Sequence, residues 1–106
     1  MTKGEIILIP FPFTDLTGNK LRPAVILIET NYDLTVCFIT AQLKWKEATD
    51  VELLPSIHNG IKKPSLVRLS KIATVDKSLS AGKLGELSKS QIAEMNIKLK
   101  ILFQLV

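Results

Sequence analysis

The chain contains only one cysteine and one histidine, Cys37 and His58. A single cysteine cannot form an internal disulfide, and the apolar neighbours of Cys37 predict a small buried side chain. His58 precedes Asn59-Gly60, where an exposed turn residue is a simpler interpretation than a catalytic acid or base. Because no CxxC or HxxxH spacing is present, we expect no metal site and no other cofactor. Any chemistry must then depend on arginine, hydroxyl, amide and carboxylate groups.

A long hydrophobic run is also lacking. The longest apolar stretch, residues 6–13, is too short to span a bilayer and is interrupted by Pro10 and Pro12. Residues 1–5 lack the basic-then-apolar order of a signal peptide. We therefore expect a cytoplasmic protein with no membrane partner.

Arginine is scarce, although the chain is basic. Only Arg22 and Arg68 are arginines among fourteen basic residues, which exceed ten acidic residues and give a formal net charge of +4. The positive excess favours a polyanionic partner, either nucleic acid or an acidic protein segment. A guanidinium group suits bidentate phosphate binding, although a surface ion pair explains either arginine alone equally well.

The order of predicted elements indicates one small, mainly β domain over residues 1–106. The 106 residues leave no room for a second hydrophobic core. β-rich runs alternate with turn signals, which predicts an antiparallel barrel or meander, with an exposed loop at residues 14–20 and Arg22-Pro23 opening the second strand. The predicted strands cover residues 5–10, 24–28, 34–40, 51–54, 65–69 and 71–76, the last either continuing the fifth strand after a kink or standing alone.

The chain ends in a predicted helix. Ser88 and Gln91 form a capping-box pattern. The cap and the absence of Gly and Pro outweigh a competing alternation over residues 97–101. An apolar stripe with helical spacing follows the cap: Ile92, Met95, Leu99 and Leu102. The prediction is a fold of about five to seven strands followed by one C-terminal α-helix.

Arg22 and Thr40 are the strongest candidates for a functional site. Arg22 begins the second predicted strand, and Thr40 ends the third. If these strands pair as a hairpin through the turn at residues 30–33, the start of one lies beside the end of the other. A guanidinium and a hydroxyl group then meet at one rim of the sheet, beside the 14–20 loop, and form a phosphate clamp.

Several short segments, taken in their order and spacing, carry a resemblance to a known family. They are Gly4-Glu5-Ile6, Leu21-Arg22-Pro23-Ala24-Val25, Ile39-Thr40-Ala41-Gln42, residues 64–69, residues 71–77 and Leu84-Gly85-Glu86-Leu87-Ser88. Together with the terminal helix they cover almost the whole chain and resemble the MazF/PemK family of toxin ribonucleases. The resemblance implies an SH3-like barrel with a terminal helix, in agreement with the predicted elements.

The same resemblance implies an activity and partners. It indicates a homodimer that cleaves single-stranded RNA, such as mRNA, at short sequence motifs without a metal ion. It also indicates a cognate antitoxin that neutralises the enzyme in a type II toxin–antitoxin pair. Operator DNA is then contacted only through the antitoxin.

Roles for individual residues also follow from the resemblance. Arg22 and Thr40 match the catalytic arginine and threonine of the family, and Arg68 matches an arginine that some members use in the site. Those members carry an aspartate two positions further on, where this chain has Ser70, and this departure leaves the general base unassigned. The residues that we expect to bind substrate are Arg68, Pro23, Gln42, Lys20 and Ser70.

The chemistry expected of such a site is attack by the ribose 2′-OH on the adjacent phosphorus, which yields a 2′,3′-cyclic phosphate and a 5′-OH. Arg22 stabilises the developing negative charge, and Thr40 hydrogen-bonds the same oxygens. Arg22 is a poor proton donor, because a guanidinium pKa lies above about 12. Asp15, Glu47 and Asp76 are available carboxylates, and the sequence does not choose a base among them.

Other residues and other functions have competing interpretations. Phe11, Phe13 and Trp45 suit stacking on bases or contact with hydrophobic residues of an antitoxin. Packing in the core or at a dimer interface explains the phenylalanines equally well, and Trp45 between two lysines favours a surface role. Lys62-Lys63 is more simply a solvated loop tip than an RNA contact. The main rival function is a non-catalytic SH3-like module that binds nucleic acid or peptides. The gyrase-targeting toxins of the same fold depend on a tryptophan near the C-terminus, where this chain has none.

Overall fold

The computed structural model describes residues 2–11 and 20–105. Phe13 and residues 14–19 of the predicted loop, which include Asp15, lie outside the described residues. The elements are strands β1 (Glu5–Phe11), β2 (Lys20–Glu29), β3 (Asp33–Thr40), β4 (Val51–Leu53), β5 (Ser65–Asp76) and β6 (Gly82–Glu86), helix α1 (Lys89–Leu102), and short 3-10 helices at Leu43–Trp45 and Lys77–Leu79. The prediction of a mainly β fold with one C-terminal α-helix is confirmed.

The strands form one antiparallel sheet in the order β4-β5-β3-β2-β1-β6. The sheet is curled into a half-barrel, and six strands lie within the predicted range of five to seven. β5 runs without interruption from Ser65 to Asp76, with a shift in its pairing to β3 between Cys37 and Phe38. The predicted fifth and sixth strands are therefore one strand with a bulge.

β2 and β6 differ most from the prediction. β2 begins at Lys20 rather than at Arg22, because its pairing with β1 continues as far as Phe11. β6 was not predicted as a strand, since two of its five residues are glycines, which weaken strand propensity. Its pairing with β1 forms the strand nevertheless. Gly85 also has a packing reason: a Cβ atom there would lie 2.4 Å from the carbonyl oxygen of His58.

Helix α1 packs across one face of the sheet as its apolar stripe predicts. Met95 is fully buried, and the other stripe residues, Ile92, Leu99 and Leu102, pack around the same core cluster. The capping box is present, with the Ser88 hydroxyl accepting from the Gln91 amide and the Gln91 side chain accepting from the Ser88 amide. No helix in the described part of the chain is long and apolar enough to cross a membrane.

The third strand is buried on both faces, as predicted from its continuous apolar run. Cys37 and Ile39 belong to the core cluster under α1, whereas Leu34 and Val36 belong to a second cluster on the opposite face. Cys37 has no disulfide partner, and burial raises the pKa of its thiol to about 12. The buried β3 thus lies at the centre of the sheet, and its last residue, Thr40, pairs with Leu66 of β5.

A salt bridge joins β1 to β6 and makes stability depend on pH. Glu5 Oε2 lies 2.9 Å from Lys83 Nζ. The hydrogen bond from Lys83, with a further one from the Thr2 amide, lowers the pKa of Glu5 from 4.5 to about 2. Because this pKa is lower in the folded state, the stabilisation is complete above pH 4.5 and is lost as pH falls towards 2.

We expect Glu5→Gln to lower the free energy of unfolding by about 1 kcal/mol at neutral pH, with the difference from wild type shrinking as pH falls through the window above. Urea unfolding at neutral pH and at two acidic values measures this difference. Glu86→Gln is the matched control and should have a smaller effect, since its carboxylate lies 3.7 Å from Lys83 and is more exposed. A difference for Glu5→Gln that is constant across pH contradicts the assignment.

Candidate functional site

A cleft of about 650 Å³ opens at the rim of the sheet where β2 begins and β3 ends. The cleft is lined by four of the residues that the sequence predicts for the site: Arg22, Pro23, Thr40 and Gln42. The loop between β4 and β5 contributes a further part of the lining through Gly60, Ile61, Lys62 and Lys63. The cleft therefore combines residues from strands of the central sheet with residues of one loop.

β2 and β3 bring Arg22 and Thr40 to the same side of the sheet. Ala24 pairs with Phe38, and the same register carried two residues further sets Arg22 opposite Thr40. Because side chains alternate along a strand, both side chains share a face with Ala24 and Phe38. The prediction that the two meet at one rim is confirmed, and their catalytic role stays a prediction.

The Thr40 hydroxyl is oriented by the chain that follows it. Its oxygen accepts a hydrogen bond from the Gln42 amide at 3.1 Å, which leaves the hydroxyl proton for another acceptor. Arg22 is exposed, and no carboxylate among residues 2–11 and 20–105 forms an ion pair with it. A guanidinium and a hydroxyl donor are therefore both available to an anion in the cleft.

Two aromatic rings form the apolar wall beside these donors. Phe11 and Phe38 line the cleft, and their ring centroids lie 6.0 Å apart in an edge-to-face arrangement. Phe11 keeps 51% of its surface exposed. An aromatic wall next to a phosphate-binding group suits a nucleotide, whose base stacks while its phosphate is bound.

The other predicted substrate-binding residues do not line the cleft. Lys20 is exposed at the start of β2, opposite Phe11, on the same face as Arg22. Arg68 Nε lies 3.1 Å from Asp50 Oδ1, and Arg68 Nη2 lies 2.6 Å from Glu47 Oε1. Ser70 Oγ lies 3.4 Å from the same Glu47 oxygen. This ionic cluster fastens the segment before β4 to β5, and a contact of Lys20, Arg68 or Ser70 with substrate stays a prediction.

Negative charge is absent from the described lining of the cleft, where no Asp, Glu or His side chain occurs. Glu47 is engaged with Arg68, and Asp76 lies at the far end of β5, where hydrogen bonds from Ser78 lower its pKa. Asp15 lies outside the described residues. In residues 2–11 and 20–105, no group of three His, Cys, Asp or Glu side chains is arranged to hold a metal ion.

Trp45 and His58 are both at the surface, as the sequence predicted. Trp45 is 62% exposed and follows Gln42 on the 3-10 helix Leu43–Trp45. Lys44 Nζ lies 5.3 Å from the centroid of its ring, a cation–π contact that covers one side of the indole. His58 lies exposed in a turn. Neither side chain lines the cleft.

Sequence reasoning missed part of the lining. Phe38 had a usable signal, because it lies two residues before Thr40 on a strand and therefore shares its face. Gly60, Ile61 and Ser65 have none. Lys62 and Lys63 are exposed in a loop, as the sequence predicts, and they also line the cleft. The position of this loop depends on contacts with β6, a strand that the sequence did not predict.

Residues 2–103 match the model of one protein family, the PemK-like, MazF-like toxin of type II toxin–antitoxin systems. No curated protein matches the chain. The match to the family model extends over β1 to α1 and includes all residues of the cleft.

Solved structures with the same fold are similar to this chain over almost its whole length. The Mycobacterium tuberculosis toxin MazF-mt6 is 23% identical with a TM-score of 0.75, over 94% of this chain and 96% of that one. MazF from Deinococcus radiodurans is 21% identical with a TM-score of 0.73, over 98% and 96%. An endoribonuclease in complex with its cognate antitoxin, from a mycobacterial species, is 17% identical with a TM-score of 0.76, over 100% and 97%. At these identities the likeness establishes the fold.

Proposed function

The chain belongs to the PemK-like, MazF-like toxin family of type II toxin–antitoxin systems, and on that premise we propose that it is an endoribonuclease that cleaves single-stranded RNA at short sequence motifs without a metal ion. The names of two structural neighbours, both endoribonucleases from mycobacterial species, support this activity. mRNA is the expected substrate in the cell.

One observation carries the proposal. Arg22 and Thr40, from adjacent strands, present a guanidinium and a hydroxyl donor to one cleft whose described lining contains no carboxylate. A phosphodiester entering this cleft meets positive charge and hydrogen-bond donors without competition from a fixed anion. The arrangement therefore favours an anionic substrate and an anionic transition state.

The reaction we propose is attack by the ribose 2′-OH on the adjacent phosphorus, in line with the departing 5′-oxygen. Negative charge grows on the non-bridging oxygens during this step. Arg22 neutralises that charge, and the Thr40 hydroxyl donates a hydrogen bond to the same oxygens, aided by the Gln42 amide that orients it. The new bond from the 2′-oxygen to phosphorus replaces the bond from phosphorus to the 5′-oxygen. The 2′-OH gives its proton to water, and the departing 5′-oxygen takes one from water, so the products are a 2′,3′-cyclic phosphate and a 5′-OH.

Proton transfer is not assigned to a residue of the described lining. A guanidinium with a pKa above about 12 is a weak acid at neutral pH, so Arg22 acts by its charge. Glu47 is held by Arg68 and by Ser70, away from the cleft. We therefore attribute the contribution of Arg22 and Thr40 to charge stabilisation and positioning.

The proposed partners follow from the family. We propose that the chain acts as a homodimer and is neutralised by a cognate antitoxin, and that it meets operator DNA only through that antitoxin. One structural neighbour is a MazE-MazF structure from Deinococcus radiodurans. Its name and that of the mycobacterial complex support an antitoxin as partner.

We expect the purified protein to cut a long unstructured RNA at discrete internal positions in the presence of EDTA, because the proposed transition-state stabilisation comes from side chains. Sequencing of the fragments should give 5′-OH ends and a short common motif. A DNA of the same sequence is the matched control and should stay intact, since it lacks the 2′-OH nucleophile.

Three other outcomes separate the alternatives. Retardation of the RNA without cleavage supports a non-catalytic binding module. Cleavage that EDTA abolishes and Mg²⁺ restores contradicts metal independence. Cleavage of the DNA control contradicts attack by the 2′-OH.

A further inference from the structure

The loop between β4 and β5 forms one side of the cleft. It ends at Ser65, in the strand next to β3, while Gly60 in its middle lies against Leu84 of β6 on the other side of the sheet. The backbone amide of Glu86 also donates to the His58 carbonyl at 2.9 Å. The loop is therefore attached to β6 through residues 58–60 and to β5 at Ser65, and Lys62 and Lys63 stand between these two attachments.

The backbone of this loop is fixed by internal hydrogen bonds. Asn59 is 3% exposed; its amide oxygen accepts from the Ile61 amide at 2.9 Å, and its amide nitrogen donates to the Leu54 carbonyl at 2.8 Å. Ile61 is buried in the core, and Ser65 Oγ donates to the Lys63 carbonyl at 2.8 Å. Lys62 and Lys63 are thus carried on a backbone held on both sides of them.

Both lysines are exposed, and both line the cleft that contains Arg22 and Thr40. Lysines elsewhere in the fold, such as Lys77 and Lys83, lie within salt-bridge distance of a carboxylate. In the described part of the chain no such carboxylate accompanies Lys62 or Lys63. Arg22, Lys62 and Lys63 are thus three cations along one cleft, and none has a counter-charge among the described residues. This arrangement favours a ligand with several phosphates in a row.

We propose that Lys62 and Lys63 form a second phosphate clamp. It binds phosphates of the RNA that neighbour the scissile phosphate, which Arg22 and Thr40 bind. The proposal rests on the proposed function, because it takes single-stranded RNA as the ligand. The fixed loop holds neighbouring nucleotides while Arg22 acts on the scissile phosphate. Lys62 and Lys63 are therefore positioning residues, and the substrate must extend beyond a single dinucleotide.

The salt dependence of RNA binding tests the clamp without any need for cleavage. The probe is a short mixed-sequence RNA in which every ribose carries a 2′-O-methyl group, so the nucleophile is blocked. For single strands, each phosphate contact contributes about 0.7 to the slope of log K against log salt concentration. We expect Lys62→Ala/Lys63→Ala to make the slope shallower by about 1.4. Lys62→Arg/Lys63→Arg should keep the wild-type slope.

The matched control is Lys71→Ala/Lys100→Ala, which removes the same net charge from two exposed lysines outside the cleft. It should leave the slope at the wild-type value. Equal slopes for the two alanine double variants, with both proteins folded, overturn the clamp. The clamp is also overturned if Lys62→Ala/Lys63→Ala binds RNA as wild type does but binds an acidic peptide more weakly. That result assigns the lysines to an acidic protein partner.

Failure of the clamp and failure of the proposed function are distinguishable. If the wild-type protein cuts RNA but its slope equals that of Lys62→Ala/Lys63→Ala, the proposed function stands and the clamp is rejected. If the wild-type protein leaves unmodified RNA intact but its slope is steeper than that of Lys62→Ala/Lys63→Ala, the nuclease activity is rejected and the RNA-binding clamp stands. On cleavable RNA, the clamp also predicts that removing both lysines raises KM more for a long substrate than for a dinucleotide, whereas a merely structural defect affects both equally.

Discussion

Arg22→Ala should lower the rate of RNA cleavage by about 10²-fold to 10³-fold, the loss typical of removing one preorganised donor to a developing oxyanion. The guanidinium is exposed in the cleft and has no ion-pair partner among the described residues, so its removal leaves no buried charge unpaired. Stability should therefore stay close to wild type. Single-turnover cleavage of one RNA under saturating enzyme isolates the chemical step from binding.

The control for this variant removes an equal charge elsewhere. Lys100→Ala takes away one exposed cation from α1, outside the cleft, and should cut RNA at the wild-type rate. Arg22→Lys should recover only part of the lost rate, because an ammonium is a point charge where the guanidinium offers a bidentate fork. An Arg22→Ala protein that cuts as fast as wild type contradicts the assignment, whatever the state of the fold.

The part of the site made by neighbouring strands was predictable from the sequence. A short turn between β2 and β3 joins two strands whose ends must meet, so Arg22 and Thr40 could be brought together by counting along a hairpin. The start of α1 was equally local, because Ser88 and Gln91 carry their capping box within four residues. Such features depend on few residues, all close in sequence.

The features that the sequence did not predict depend on distant contacts. β6 has weak strand propensity and forms through pairing with β1, about 75 residues away in the chain. The loop that carries Lys62 and Lys63 is placed by the close approach of Gly60 to Leu84 and of Asn59 to Gly85. No pattern within residues 54–64 specifies that approach, so the sequence does not place the two exposed lysines beside Arg22 and Thr40.

Arg68 shows how a family resemblance and a structure can assign different contacts to one residue. The resemblance implies a place in the catalytic site. In the structure its side chain is 14% exposed and lies against the Asp50 side chain, which is 0% exposed. The Glu47 hydrogen bond raises the pKa of Arg68 above its usual value, in keeping with a cation held by its partners. Asp50 Oδ2 also accepts from the Glu47 amide at 2.8 Å, and the Asp50 carbonyl accepts from Lys98 of α1 at 2.8 Å.

Arg68→Ala should therefore lower the free energy of unfolding by about 3 kcal/mol or more, because it leaves the buried Asp50 carboxylate without its cation. Urea unfolding measures the loss. Lys46→Ala is the matched control: it removes a cation from Glu52 in the same region, but both members of that pair are more than half exposed, so the change should be far smaller. Equal losses for the two variants contradict the structural role of Arg68.

The same protein also tests whether Arg68 contacts RNA. At a temperature where Arg68→Ala is fully folded, a structural role predicts cleavage per folded molecule close to wild type, because Arg68 does not line the cleft and its printed bonds go to Asp50 and Glu47. A role in the site predicts a loss comparable to that of Arg22→Ala under the same conditions. Asp50 and Glu47 take Arg68 Nε and Nη2 at 3.1 and 2.6 Å, and their two carboxylates offset its positive charge. An anionic phosphate gains little from a cation so compensated, and this favours the structural role.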